Sequence, residues 1–190
     1  MNISSPDIEE RFDIWKYAYS RSAFIESKEI AQLLLTLQPQ LTSAHRLALI
    51  TALVVSYARP FTSSIIEHSR RLIPMKGIPL PPEHETLHLL YLSMRHQVVG
   101  HKDATAPSKT GILNHVRFSV HGGNLDMSTR TIASIPRELL TETPILCEKL
   151  IKVIEGRLNA ILRKYSPISA EDNSVYYLNI ADMSKPWIIK

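Results

Sequence analysis

The segment whose residue types could best support catalysis is MRHQVVGHKD, residues 94–103. Arg95 and His101 are the residue types needed to cleave RNA without a metal. An imidazole with a pKa of about 6.5 can take a proton from a ribose 2′-OH or give one to the leaving oxygen. A guanidinium presents a planar set of donors to phosphoryl oxygens. One histidine supplies only one of the two proton transfers, so a symmetric homodimer would supply the other.

The spacing of these residues requires a change in the helix that carries them. The six steps from Arg95 to His101 turn a regular helix by about 600°, which leaves the two side chains roughly 120° apart. If Gly100 breaks or unwinds the last turn, His101 can return to the side of Arg95. His96 adds a polar group at the same level, and Tyr91 lies one turn earlier.

The stretch RHQVVGHKD resembles the motif of the HEPN superfamily, in the branch of abortive-infection and related prokaryotic proteins. That motif is an Arg, a polar residue, three to five residues and a His, at a helix end within a helical bundle. Arg95, His96 and His101 match it, and Asp103 of the longer branch pattern is kept. At residues 97 and 100, a Gln replaces the usual basic residue and a Gly the usual Ala.

A second element, SYARPF at residues 56–61, is also similar to a recurrent feature of such proteins. It contains Arg59, which the sequence alone leaves open as a buried ion-pair anchor (with Glu67 or another carboxylate) or as a phosphate contact. The resemblance extends over residues 40–165 by architecture and over about ten residues by motif.

The resemblance implies a metal-independent endoribonuclease that acts as a homodimer, with two motifs facing each other across a cleft. Arg95 would steady the phosphorane, His101 would be the acid and base, and His96 would orient them. The substrate-binding residues expected around them are Arg59, Tyr91, Lys102 and Asp103. No metal and no other cofactor is expected, and RNA is the expected substrate.

Three functional interpretations are compatible with these residues. The first is an RNase that acts as a toxin or phage-defence effector, held in check by an antitoxin or another protein partner. The second is a catalytically inactive HEPN-like dimerisation or interaction module, such as a partner in a toxin–antitoxin pair. The third is a regulator that binds a nucleotide or small ligand. If the motif is not functional, Arg95 and His101 are two cations that complement a helix C-terminus.

Other reactive residue types favour structural roles. His84 and His88 have the spacing of two metal ligands on a helix. No third ligand is near in sequence, so we interpret them as part of a polar helix face. Cys147 is expected to be a small apolar residue in a packed helix. Trp15 lies on an apolar helical stripe and is expected in the core. A basic group around residues 70–109 is either a nucleic-acid path or a solvated surface.

Composition indicates a single globular domain over residues 1–190. The chain has 22 Lys and Arg against 18 Asp and Glu, and 44% of its residues are hydrophobic, which excludes a mainly disordered chain. The longest apolar run, residues 47–55, is far shorter than the roughly 20 residues of a membrane span. The N-terminus lacks signal-peptide features, and one cysteine cannot form an internal disulfide. A cytoplasmic location and no membrane partner are expected.

Helical periodicity dominates and predicts an all-α, HEPN-like bundle. A first helix is expected after Ser5-Pro6, with a stripe of Ile8, Phe12, Trp15 and Tyr19; whether it continues into the apolar run ending at Gln38-Pro39 is open. The remaining helices are predicted from Thr42 or Ser43 to Arg59, over a short piece at 63–72, from Pro82 to Gly100, and from Thr143-Pro144 to about residue 165.

Two segments differ from this pattern. Apolar and polar residues alternate over about residues 113–133, with Gly122-Gly123 between the two halves, which predicts a β-hairpin inserted in the bundle. The C-terminal tail, about residues 167–190, is expected to form one more strand or an arm that contacts a partner.

Overall fold

The computed structural model describes residues 7–37, 39–62, 64–66, 69–71, 78–95, 115–121, 124–130, 135–164, 176–178 and 187–189. Four α-helices form its main body: α1 (Ile8–Leu37), α2 (Ser43–Ala58), α3 (Glu85–Met94) and α4 (Arg137–Leu162). Short 3-10 turns at Arg59–Phe61 and Pro82–His84 follow α2 and precede α3. The described chain is therefore predominantly helical, as its periodicity predicts.

The strands pair as three antiparallel two-stranded ribbons. β1 (Ser64–Ile66) pairs with β2 (Ser69–Arg71), and β3 (His115–His121) pairs with β4 (Asn124–Arg130). β5 (Tyr176–Leu178) pairs with β6 (Trp187–Ile189) in the C-terminal tail. The first ribbon lies where a short helical piece was predicted for residues 63–72, and that prediction is wrong. The β-branched pair Ile65-Ile66 suits a strand, and Ile66 faces Ser69 across a two-residue connection.

The first predicted helix and the apolar run before Gln38-Pro39 form one continuous helix, α1, of 30 residues. The sequence alone left this open. The main-chain N–H of Glu10 donates to Oδ1 of Asp7 at 2.8 Å, so Asp7 caps the first turn. Ser5-Pro6, from which the start was predicted, lies outside the described residues. Leu37 is the last residue of α1, as predicted from Gln38-Pro39.

The N-terminal half of α1 does not bury its predicted stripe. Trp15 stacks on Tyr19 with ring centroids 5.4 Å apart, but Trp15 is partly exposed and Tyr19 is 37% exposed. In this half the buried residues are Arg11, Ile14 and Ser20. Helix α1 is nearly twice as long as α2, and its first turn is near the end of α4, where Nζ of Lys164 lies 3.0 Å from Oε1 of Glu10. The expectation of Trp15 in the core was therefore wrong.

Helix α2 begins and ends where its flanking residues predict. Oγ1 of Thr42 accepts a hydrogen bond from the N–H of His45 at 3.2 Å, which satisfies one of the orphan donors of the first turn. The α-helix ends at Ala58, and Pro60 follows in a 3-10 turn. The buried residues of α2 begin at Ile50, and Leu47, nearer its start, is 40% exposed.

Helix α4 begins seven residues before the predicted start at Thr143-Pro144. Pro136 precedes its first residue, Arg137, and Pro144 lies inside the helix. Leu140, Leu146, Cys147, Leu150 and Ile154 are buried with Thr143. These positions keep the helical interval on both sides of Pro144, so burial of this face outweighs the main-chain hydrogen bond that the proline cannot make.

The core joins all four helices around a group of aromatic rings. Tyr57 of α2 contacts Phe24 of α1, Tyr91 of α3 and Phe61, with ring centroids 5.7, 4.6 and 5.6 Å away. Apolar side chains from every helix surround this group. No helix of the described chain is long and apolar enough to cross a bilayer.

Candidate functional site

Arg95 lies at the C-terminal end of α3, where the regular helix ends. Its N–H donates to the carbonyl oxygens of both Leu92 and Tyr91, so the backbone leaves the simple α-helical hydrogen-bond pattern at this residue. The side chain is partly buried, and no described residue forms an ion pair with its guanidinium. The guanidinium is therefore not neutralised by any carboxylate of the described bundle.

The partners predicted for Arg95 lie outside the described residues. These are His96 and His101 of the motif, together with Lys102 and Asp103. The structure therefore fixes one end of the candidate site, the helix terminus with Arg95. The predicted helix from Pro82 is found as a 3-10 turn followed by α3, and the stretch expected to reach Gly100 is described only to Arg95.

Tyr91, expected to contact substrate, is fully buried. Its hydroxyl lies 2.5 Å from Oγ1 of Thr143 on α4, and burial raises the pKa of the phenol well above its ordinary value. Oγ1 of Thr143 also donates to the carbonyl of Leu139 at 3.0 Å, which leaves the Tyr91 hydroxyl as the donor between the two. Tyr91 thus joins α3 to α4, and its hydroxyl has no access to a ligand in this arrangement.

Arg59 follows α2 and is exposed, so it is not a buried anchor. Its Nη1 lies 3.5 Å from Oε2 of Glu26 on α1, and Oγ of Ser56 donates to the same oxygen at 3.1 Å. The carboxylate partner that the sequence left open is thus Glu26 among the described residues. The side chain of Arg59 is 43% exposed, so it can still contact an anion from solvent.

His88 is buried, and the expectation that it lies on a polar helix face is wrong. Its Nδ1 shares a hydrogen bond of 3.0 Å with the hydroxyl of Tyr57, and the ring of Phe61 meets its edge at 4.6 Å between centroids. Burial lowers the pKa of His88, and the charge of Glu85 opposes this only in part. His88 is thus a neutral polar group that joins α3 to α2.

His84, four residues earlier, is buried as well and joins α3 to α4. Nζ of Lys149 lies 3.2 Å from its Nε2; since an ammonium can only donate, Nε2 is the acceptor. Its Nδ1 then carries the proton and lies 3.9 Å from Oε2 of Glu142. Nζ of Lys149 also donates to Oε1 of Glu83 at 2.6 Å, and this bond lowers the pKa of Glu83.

These contacts correct the interpretation of both histidines. Each ring finds a hydrogen-bond partner on another helix, so burial costs less than it would for an unpaired ring. Those partners lie 31 and 65 residues away in sequence, where no local pattern could indicate them. In the part of the chain with described side chains, no group of three or more His, Cys, Asp or Glu residues could hold a metal ion.

The basic residues expected along a nucleic-acid path are described only in part. Arg70 and Arg71 lie in β2, and the register of the second ribbon pairs His115 with Arg130 and Arg117 with Ser128. Lys76 and Lys109 lie outside the described residues. Cys147 is buried as predicted, and burial raises the pKa of its thiol to about 12.

Comparison with known proteins gives no name to this arrangement. No protein-family model matches the chain, and neither a curated protein nor a solved structure is similar to it. The candidate site is therefore defined by its geometry: α3 is joined to α2 by His88 and to α4 by His84 and Tyr91, and it ends at a guanidinium without a described ion-pair partner.

Proposed function

We propose that the protein is a metal-independent endoribonuclease of the HEPN type, acting as a homodimer. The observation that supports it is the position of Arg95 on a helix terminus held by buried contacts, without a described carboxylate to neutralise it. A phosphoryl group that gains charge during cleavage is the kind of anion such a guanidinium stabilises. The motif RHQVVGHKD, which begins at this helix end, supplies the rest of the proposal.

The proposed chemistry is attack by a ribose 2′-OH on the adjacent phosphorus. His101 of one chain removes the hydroxyl proton, while His101 of the second chain protonates the leaving 5′ oxygen. The P–O5′ bond breaks as the 2′-O–P bond forms, which leaves a 2′,3′-cyclic phosphate and a 5′-hydroxyl. Arg95 contacts the phosphoryl oxygens, and His96 orients the site. The β3–β4 hairpin is an insertion in the bundle in this proposal.

Outer contacts to RNA come from Arg59, Lys102 and Asp103 in this proposal, with Asp103 accepting from ribose or base donors. Tyr91 is omitted as a ligand contact because its hydroxyl is used inside the core. Toxin or phage-defence activity, restrained by an antitoxin, would be the biological setting of such an enzyme.

The test is incubation of total RNA with the protein in EDTA, read as fragment ends with and without phosphatase and kinase treatment. We expect wild-type protein to cut and to leave cyclic phosphate ends. Arg95→Ala and His101→Ala should each lose at least about a hundredfold in rate, the usual size of an acid–base or electrostatic contribution.

Matched controls come from the same chain. Arg163→Ala removes an exposed arginine next to the end of α4, and His45→Ala removes an exposed histidine of α2; both should cut like wild type. Cleavage that survives His101→Ala would exclude the proposed mechanism. If neither the wild type nor any variant cuts RNA, the inactive HEPN-like interaction module is the better description.

A further inference from the structure

The face of the bundle formed by α1 and α4 carries a groove of about 540 Å³ that the nuclease proposal does not use. Six charged residues line it, three of each sign, with Ile25 and Ile151 between them. Arg95 is not among the lining residues, so a second copy bound in this groove would make a contact separate from the one that brings two motifs together in the proposed nuclease. Charge exchanges within the groove act on this contact only.

Four of the six charged residues in this groove form two ion pairs between α1 and α4. Nε of Arg21 on α1 lies 2.7 Å from Oε1 of Glu155 on α4, and seven residues further along α1, Nζ of Lys28 lies 2.7 Å from Oε1 of Glu148. Because the two helices are antiparallel, Ile25 and Ile151 have matching positions between the two ion pairs. Both ion pairs have the cation on α1 and the anion on α4.

This arrangement is complementary to itself. A twofold axis parallel to the helices and above the groove would place α1 of a second copy over α4 of the first, at the same height and antiparallel to it. Arg21 and Lys28 of one copy would then meet Glu155 and Glu148 of the other, with the isoleucines of both copies between them. The remaining charged lining residues, Glu29 on α1 and Lys152 on α4, are also of opposite sign.

We infer that this groove is a docking surface for a second copy of the chain, which completes a four-helix bundle of two α1 and two α4 helices. The occupant is identified by charge: a uniformly basic or acidic partner would meet equal numbers of both signs, whereas a second copy meets the opposite sign at both ion-pair positions. Each of the four central cations and anions gains a second counterion, and the isoleucines leave water together.

The small size of the groove indicates that the two copies associate weakly. The lined part of α1, residues 21–32, is about 17 Å long at 1.5 Å per residue, which is small beside a standard interface. The dimer should therefore be weak, and salt should weaken it further because the charges are solvent-exposed.

The test compares the wild type with a variant in which both helices exchange charge, R21E/K28E/E148K/E155K. This variant keeps both internal ion pairs with their signs reversed, so its fold is expected to be unaffected. Sedimentation velocity over a concentration series should show the same dimerisation for both proteins. In a mixture, α1 of one protein would face α4 of the other with like charges in this groove, so native mass spectrometry should detect heterodimers well below their statistical share.

Half-exchanged variants add a second measurement. R21E/K28E leaves Lys152 as the one cation among the lining residues and E148K/E155K leaves Glu29 as the one anion, so each alone should dimerise at least tenfold more weakly than wild type. Mixing them should restore a dimer. A control, D13K/K16D, reverses a charged pair of α1 outside the groove and should behave as wild type.

Three results would overturn the inference: a wild-type protein that stays monomeric over the whole concentration series, a full statistical share of heterodimers between wild type and the fourfold variant, or half-exchanged variants that dimerise as wild type does.

Discussion

The phenol oxygen of Tyr57 lies 3.0 Å from Nδ1 of His88, inside the aromatic group that joins α1, α2 and α3. The burial that accompanies this bond lowers the pKa of His88. Holding a neutral imidazole here couples the stability of the bundle to pH, because the same ring in the unfolded chain takes up a proton at about pH 6.5.

The sign of this coupling gives the first prediction. Between the lowered pKa of His88 and about pH 6.5 the unfolded chain binds more protons, so the free energy of unfolding falls as pH decreases through this range. Replacing the ring in His88→Gln removes the titration while an amide can still bond to Tyr57. Urea unfolding at several pH values should show a smaller acid loss for this variant, with exposed His45→Gln as the control. Equal pH slopes for His88→Gln and wild type would contradict the assignment.

The bond between Tyr91 and Thr143 gives a second prediction. Tyr91→Phe leaves Thr143 bonded to the carbonyl of Leu139, so it should cost about 1 kcal/mol of unfolding free energy. Thr143→Val leaves the buried hydroxyl of Tyr91 without its hydrogen-bond partner and should cost about 1–3 kcal/mol of unfolding free energy. The double variant should cost less than the sum, because neither partner is then left unpaired. Chemical denaturation of all four proteins measures this coupling, and strict additivity would show that the bond contributes nothing.

Substitution of Arg59, which follows α2, distinguishes an effect on stability from an effect on RNA binding. The ion pair between Arg59 and Glu26 is exposed and 3.5 Å long, so Arg59→Ala and Glu26→Gln should each change stability by less than about 1 kcal/mol. If Arg59 contacts phosphate, Arg59→Ala should weaken RNA binding and reduce its salt dependence, whereas Glu26→Gln should not weaken it. Fluorescence anisotropy with a labelled RNA at several salt concentrations measures both effects. Equal binding by the wild type and Arg59→Ala would remove Arg59 from the RNA-binding set.

Burial of Cys147 predicts its reactivity. The thiolate is the reactive form, and burial raises the pKa of this thiol to about 12. We therefore expect almost no alkylation by iodoacetamide at about pH 8 in the folded protein and complete alkylation in urea. Mass spectrometry of both samples counts the adducts. Rapid modification of the folded protein would contradict the placement of Cys147 in the core.

Local signals in the sequence predict some helix ends correctly and fail where distant packing decides. The prolines at 39 and 60 each follow a helix end within two residues. Arg59, directly before Pro60, nevertheless keeps α-region dihedrals, so α2 passes into a 3-10 turn there and the expected restriction by the proline is not what ends it. The burial of His84 was not predictable, since Lys149 is 65 residues away. For the candidate site, the sequence places Arg95 in the last part of a helix predicted to reach Gly100. The structure ends the regular helix at Met94 and adds the contacts of α3 that hold Arg95.

In helix α4, too, a local sequence signal and the packing of the helix disagree. The pair Thr143-Pro144 resembles a cap followed by a first-turn proline. The proline instead lies inside the helix, where it cannot donate to the carbonyl of Leu140. Pro144→Ala restores that donor and removes the ring, so it should raise the free energy of unfolding by about 1–3 kcal/mol. Pro136→Ala, at the position before the helix, should change it much less because no internal hydrogen bond is gained there. Thermal and urea unfolding measure both, and a destabilised Pro144→Ala would mean that α4 requires the proline ring for its packing.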